Sequence, residues 1–112
     1  MKSYSLDKIN ELSGGDHDFA KDIMAAFLEE IPQDLDWLAK GFSERSVTEI
    51  YQASHKIKPN LDLVGADKAY QLVSELNRKA KNGDGLDGIQ ELYEESLPLI
   101  QKLLKELEED FS

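Results

Sequence analysis

Apolar residues recur along most of this chain at intervals of three and four, the period of one helix face. The cleanest stretch passes through Val47, Ile50, Ser54, Ile57, Leu61 and Val64, the seam pattern of packed helices. Ser46 is placed to cap it, and Glu49 completes a capping box. Upstream, Phe19, Ile23, Ala26, Phe27 and Ile31, continued by Leu35, Leu38 and Phe42, predict a helix over about 16–43 with Asp16 as its cap. Pro32 inside it predicts a kink, or two helices nearly end to end. A short first helix carries Leu6, Ile9 and Leu12, capped by Ser5 or Asp7 and ended by Gly14-Gly15. Gly65 marks a break or a tight approach. Beyond it a helix over about 66–82 turns Ala69, Leu72, Val73 and Leu76 inward. Asn82-Gly83-Asp84-Gly85 is a turn signal. Asp87 then caps a last helix with Ile89, Leu92, Leu99, Ile100, Leu103, Leu104 and Leu107, bent locally at Pro98. The ending EELEEDFS reads as frayed and solvated.

No segment shows the alternation of a strand, and short turns between long helices make neighbours antiparallel. The expected fold is all-α: an antiparallel up-down four-helix bundle with a short N-terminal helix, one domain over residues 1–112.

Composition narrows the functions. The chain carries 23 acidic against 13 basic residues, a formal charge of -10. Such a field repels phosphate backbones and anionic lipid, so neither nucleic acid nor membrane is an expected partner. The absence of cysteine removes thiolate chemistry and Cys-ligated zinc. The N-terminal residues lack the apolar core of a secretory signal, and no apolar run approaches the roughly 20 residues of a membrane span. A cytoplasmic protein is expected.

His55 carries the most chemical information. It lies roughly 130° from the centre of the seam of its helix, toward solvent, with Lys58 one turn along the same flank. Tyr51, Gln52, Pro59 and Asp62 surround it on the helix surface. An imidazole in its neutral form is a nucleophile near pH 7. A nearby ammonium neutralises charge on phosphoryl oxygens. A stiff helix supplies the positioning that such chemistry mainly needs. A lone exposed histidine beside a lysine is more often plain surface, so spacing alone does not decide the matter.

The segment Ala53-Ser54-His55-Lys56-Ile57-Lys58-Pro59-Asn60, followed by Val64-Gly65-Ala66, resembles the signature of the histidine-containing phosphotransfer (HPt) family, approximately A-H-x-L-K-G-S and then G-A. Gly14-Gly15-Asp16 and FLEEIPQDLDWL (Phe27 to Leu38) are similar to that family's G-G-D and F-x-x-E-x-P-x-x-L-x-x-L. The matches fall in order along nearly the whole chain. The resemblance implies a phosphorelay module of two-component signalling. His55 would accept a phosphoryl group from a receiver-domain aspartate and pass it to another receiver, with Lys58 contacting the phosphoryl oxygens. It implies a phosphocarrier rather than a self-contained turnover enzyme. Its partners would be response-regulator receiver domains and a hybrid sensor histidine kinase. No cofactor or metal would be its own, because the receiver supplies Mg²⁺. A monomer is expected.

Three positions depart from the family pattern. Pro59 stands where Gly is expected, predicting a local kink beside His55 because proline lacks an amide hydrogen and crowds the carbonyl four residues back. Asn60 replaces a Ser, and Asn77 stands where the family often has Glu. The docking surface for a receiver is expected from Tyr51, Gln52, Pro59, Asp62, Met24 and Leu28, with Leu63 and Trp37 as further candidates. The alternative from another class is a non-catalytic helical adaptor that binds a receiver or kinase, for which Pro59 is the best argument. His17 reads as a helix-entry residue, and the paired carboxylates Glu29-Glu30, Glu94-Glu95 and Glu108-Glu109 read as solvated faces.

Overall fold

The computed structural model describes residues 2–111. Within them the chain is all-helical: α1 (Asp7–Ser13), α2 (His17–Ser43), α3 (Val47–Leu63), α4 (Asp67–Asn82) and α5 (Leu86–Phe111). α2 packs on α3, α3 on α4 and α4 on α5, and α5 returns to α2, while α1 lies against α2. At 27 residues α2 is roughly 40 Å long, nearly the full 43 Å length of the molecule. Their buried faces form one apolar cluster. None of the described helices is long and apolar enough to cross a membrane.

The predicted seam of α3 is the buried one. Ile50, Ala53, Ser54, Ile57 and Leu61 are buried, as is Val64 just past its end, while Val47 is half-buried. The seam of α2 is rotated from the predicted one. It runs through Met24, Phe27, Ile31, Asp34, Leu38 and Gly41, again in steps of three and four. Phe19 (46% exposed) and Ala26 fall outside it, and Ile23, Leu35 and Phe42 only flank it. The apolar pattern misleads there because Asp34 and Gly41 occupy seam positions without being large and apolar. Gly41 is required by contact: a Cβ on it would lie 3.1 Å from both the backbone nitrogen and Cγ1 of Ile50, so α2 and α3 nearly touch at this point. Leu12, expected inward, is 68% exposed. Phe42 of α2 stacks on Tyr93 of α5 at 4.6 Å between ring centroids.

Caps follow the sequence in part. Asp16 accepts from the backbone N–H of Asp18 (2.9 Å) and Phe19 (3.3 Å) and starts α2. Ser46 accepts from the N–H of Glu49 (3.3 Å), but the capping box is half made. The Glu49 carboxylate takes the indole N–H of Trp37 instead, and the Ser46 N–H goes to the Gly41 carbonyl (2.9 Å). α1 begins after Leu6, whose side chain makes no cap; the Ser5 hydroxyl accepts from the Asp7 N–H at 3.3 Å, so Ser5 covers the start of the helix from one position upstream, while Asp7 and Asp87 lie in the first turns of α1 and α5 rather than before them. α2 and α5 continue as single helices through Pro32 and Pro98, and α3 continues through Pro59.

The chain's end is helical through Phe111, not frayed; Ser112 lies outside the described residues. Residues 2–5 form a strap that holds it. The backbone N–H and hydroxyl of Ser3 donate to Glu106 (2.8 and 3.2 Å), the hydroxyl of Tyr4 donates to Asp110, and Tyr4 packs edge-on against Phe111. The strap then crosses the α3–α4 turn, where the Ser5 N–H donates to the Val64 carbonyl at 2.7 Å. Gly65 sits beneath it with φ 66, and a Cβ there would lie 2.7 Å from the Cβ of Ser5. Both predicted reasons for this glycine, a break and a close approach, hold at once.

Gly65→Ala carries a left-handed backbone penalty and a clash, and should cost about 1–3 kcal/mol by urea denaturation. Hydrogen bonds from Ser3 hold the Glu106 carboxyl below its ordinary pKa, and the hydrogen bond from Tyr4 does the same for Asp110. Burial, with Asp110 alongside, pushes the Tyr4 phenol up to about 12. A depressed carboxyl stabilises the fold above its unfolded pKa and loses that contribution as pH falls through its folded one. The strap should therefore be intact at pH 7 and loosen below about pH 4. Tyr4 fluorescence or amide exchange at residues 3–5 should report this before helix content changes, and Glu106→Gln should remove much of that pH dependence.

Candidate functional site

α3 places His55 in the open. Ser54 and Ile57 on either side of it belong to the buried seam, so the imidazole is turned to solvent. Tyr51, one turn earlier, is half-buried, and its ring lies nearly parallel to the imidazole (15°) at 5.9 Å between centroids. Lys58, one turn later, is half-buried, and no carboxylate among the described residues lies within ion-pair distance of it.

Polar contacts hold this stretch of α3 from both sides. Toward α2, Lys56 reaches Asp34, whose side chain is 3% exposed, at 3.0 Å. That hydrogen bond raises the Lys56 pKa. The second Asp34 oxygen is buried with no hydrogen-bond partner. Toward α4, the Asn77 amide donates to the Tyr51 carbonyl and to the Ser54 hydroxyl, both at 3.0 Å. Ser54 in turn donates to the Ile50 carbonyl at 2.7 Å, which accounts for its buried hydroxyl and leaves it no nucleophilic role. In the helical ladder the Tyr51 carbonyl also faces the N–H of His55, so Asn77 holds the turn that carries the imidazole. In the sequence Asn77 stands out only as a departure from the family pattern, and Asp34 does not stand out at all. A polar residue at a seam position is the signal for both.

The expected docking residues do not form one surface. Tyr51, Gln52 and Pro59 share α3 with His55, and Gln52 and Pro59 are exposed. Asp62 is ion-paired with Lys8 of α1. Leu28 is half-buried in a groove with Pro32 and Leu104, on the flank of α2 that meets α5 rather than α3. Met24 is 0% exposed, a core residue and not a docking one. It belongs to the rotated seam of α2, which the apolar pattern alone did not locate. Trp37 and Leu63 are half-buried against the core. His17 is exposed at the start of α2, beside the Asp16 cap. Among the described residues no group of three His, Cys, Asp or Glu side chains is placed to hold a metal.

Charge is distributed unevenly about the histidine. Lys56, Lys58, Lys68, Arg78, Lys79 and Lys81, six of the 13 basic residues, fall within 56–81, against only Asp62, Asp67 and Glu75 of the 23 acidic ones. An acidic protein thus carries nearly half of its basic side chains on α3 and α4, in a stretch with few acidic ones. The arrangement can offer a ring nitrogen on a fixed helix, with cations beside it to balance a doubly charged phosphoryl group.

Asn77→Ala removes one buried and one partly buried hydrogen bond and should cost about 1–2 kcal/mol in urea denaturation with the m-value unchanged. The same variant should lose the ring-current shift that Tyr51 imposes on the His55 proton resonances, because the turn carrying both rings is freed.

Comparison of the chain with protein-family models, with curated proteins and with solved structures finds no match in any of the three.

Proposed function

We propose that this protein is a phosphocarrier of the HPt kind, in which a nitrogen of His55 attacks the phosphorus of a phospho-aspartate on a receiver domain. The P–O bond to the aspartate breaks and its carboxylate leaves. The group then passes from His55 to the aspartate of a second receiver by the reverse displacement. Lys58 balances charge on the phosphoryl oxygens, and Mg²⁺ comes with the receiver. The observation that carries this reading is an exposed imidazole beside the Tyr51 ring, on a turn held by Asn77, one turn from an ammonium with no carboxylate among the described residues within ion-pair distance. The ordered motif matches along the chain support the HPt reading. The reading includes an antiparallel up-down arrangement of α2 to α5, supported by three-residue connections at 44–46, 64–66 and 83–85. It also includes a cytoplasmic setting, a monomeric state, and an upstream hybrid sensor histidine kinase. Since His55 is already exposed, transfer needs no rearrangement of this protein.

The test is transfer from a panel of phosphorylated receiver domains of the same source. Wild-type protein should gain an acid-labile, alkali-stable label, and His55→Gln should gain none while its stability changes by less than about 0.5 kcal/mol. Lys58→Ala should slow transfer about tenfold or more without abolishing binding. Binding without label on the wild type would instead assign the protein as a non-catalytic adaptor.

A further inference from the structure

Beside Lys58, α3 and α4 enclose an open groove of about 510 Å³. Its lining includes Lys58, Tyr70, Ser74, Glu75, Arg78 and Lys81. Arg78 is paired with Glu75, but neither Lys58 nor Lys81 has a carboxylate within ion-pair distance among the described residues. The hydroxyl oxygen of Ser74 is buried there without a hydrogen-bond partner. Lys81 also borders a second hollow with Thr48 and Tyr51, the residue stacked on His55. Lys58, one turn from His55, and Tyr51, stacked on it, thus border the two hollows and join the groove to the flank of α3 that carries the histidine.

From this we propose that the α3–α4 groove is a docking site for an acidic face of the partner protein that exchanges phosphoryl groups with His55, a proposal that rests on the carrier reading above. Size decides against a single ion. Tyr70 to Lys81 spans about three helical turns, roughly 16 Å, far longer than a phosphate. Charge decides against nucleic acid: the chain as a whole is at -10, and a groove with three cations and one carboxylate is too small a counterweight for a polyanion. For a protein face bearing a few carboxylates the same distribution is directive. The acidic remainder of the molecule repels such a face while the groove attracts it, so encounters are steered to the side that carries His55. The docking surface thereby shifts to α4, away from the α2 residues that the sequence suggested.

The experiment compares the wild type with two variants of equal net charge change, Arg78→Glu/Lys81→Glu in the groove and Lys102→Glu/Lys105→Glu on α5. For each, receiver binding and phosphoryl transfer are measured at low and at about 0.5 M salt, with far-UV circular dichroism as the check on folding. The groove variant should bind receivers and accept label at least tenfold less efficiently at low salt, with the difference shrinking as salt rises. The α5 variant should stay within about twofold of wild type. Equal losses in both variants, or none in either, would overturn the groove as a docking site while leaving the carrier reading intact. Receivers that bind the wild type, bind the groove variant tenfold less and label neither would sustain the groove and overturn the carrier reading. Receivers that neither bind nor label the wild type would overturn both.

Discussion

Ile50, Ser54, Ile57, Leu61 and Val64 are all buried on one side of α3 and its end, between α2 and α4. A helix held by such a seam has no rotational freedom left. Each residue off the seam is assigned a direction by its sequence offset alone, and His55, next to Ser54, is assigned to solvent. The close approach of Gly41 to Ile50 sets the distance to α2, and the Asn77 amide sets the register against α4. Burial of about five seam side chains is the large term here, on the order of 1.5–3 kcal/mol for each large one. The polar contacts are smaller but directional, and they fix what apolar packing leaves degenerate.

Those polar contacts flank the site without entering it. Asp34 with Lys56, and Asn77 with Tyr51 and Ser54, tie the middle of α3 to its two neighbours within one turn of the histidine. Removing Lys56 would strand a carboxylate that is almost inaccessible to water, which is expensive even where the intact pair adds little net stability. The helix that presents the imidazole is therefore stiff where it needs to be. The strap of residues 2–5 depends on the titratable carboxylates of Glu106 and Asp110 and is the more easily loosened element as pH falls.

Electrostatics separates the two halves of the functional problem. In the proposed carrier, Lys58, one turn from His55, would bear on the charge of a transferred group. Arg78 and Lys81, on α4, would bear on which surface arrives and in what orientation. A chain with ten surplus negative charges that keeps nearly half of its cations within 56–81 has an orientation built into its field.

Much of this was legible in the sequence. The three-and-four periodicity located all five helices, the seam of α3 was read correctly, and with it the outward direction of His55 followed from helical geometry. The Asp16 cap and the dual role of Gly65 were also local matters, set by backbone hydrogen bonding and by φ. What the sequence could not decide was which of two adjacent stripes on α2 faces inward. Asp34 and Gly41 hold seam positions only because α3 supplies Lys56 to one and comes into contact at the other. For the same reason Met24 was placed on the surface when it belongs to the core, Leu28 was placed near the histidine when it faces α5, and Glu49 was given to a capping box when Trp37 claims its carboxylate. Helical period and local capping are encoded within a few residues of chain. The choice of partner for a polar side chain, and the grooves between helices, exist only once separate segments are brought together.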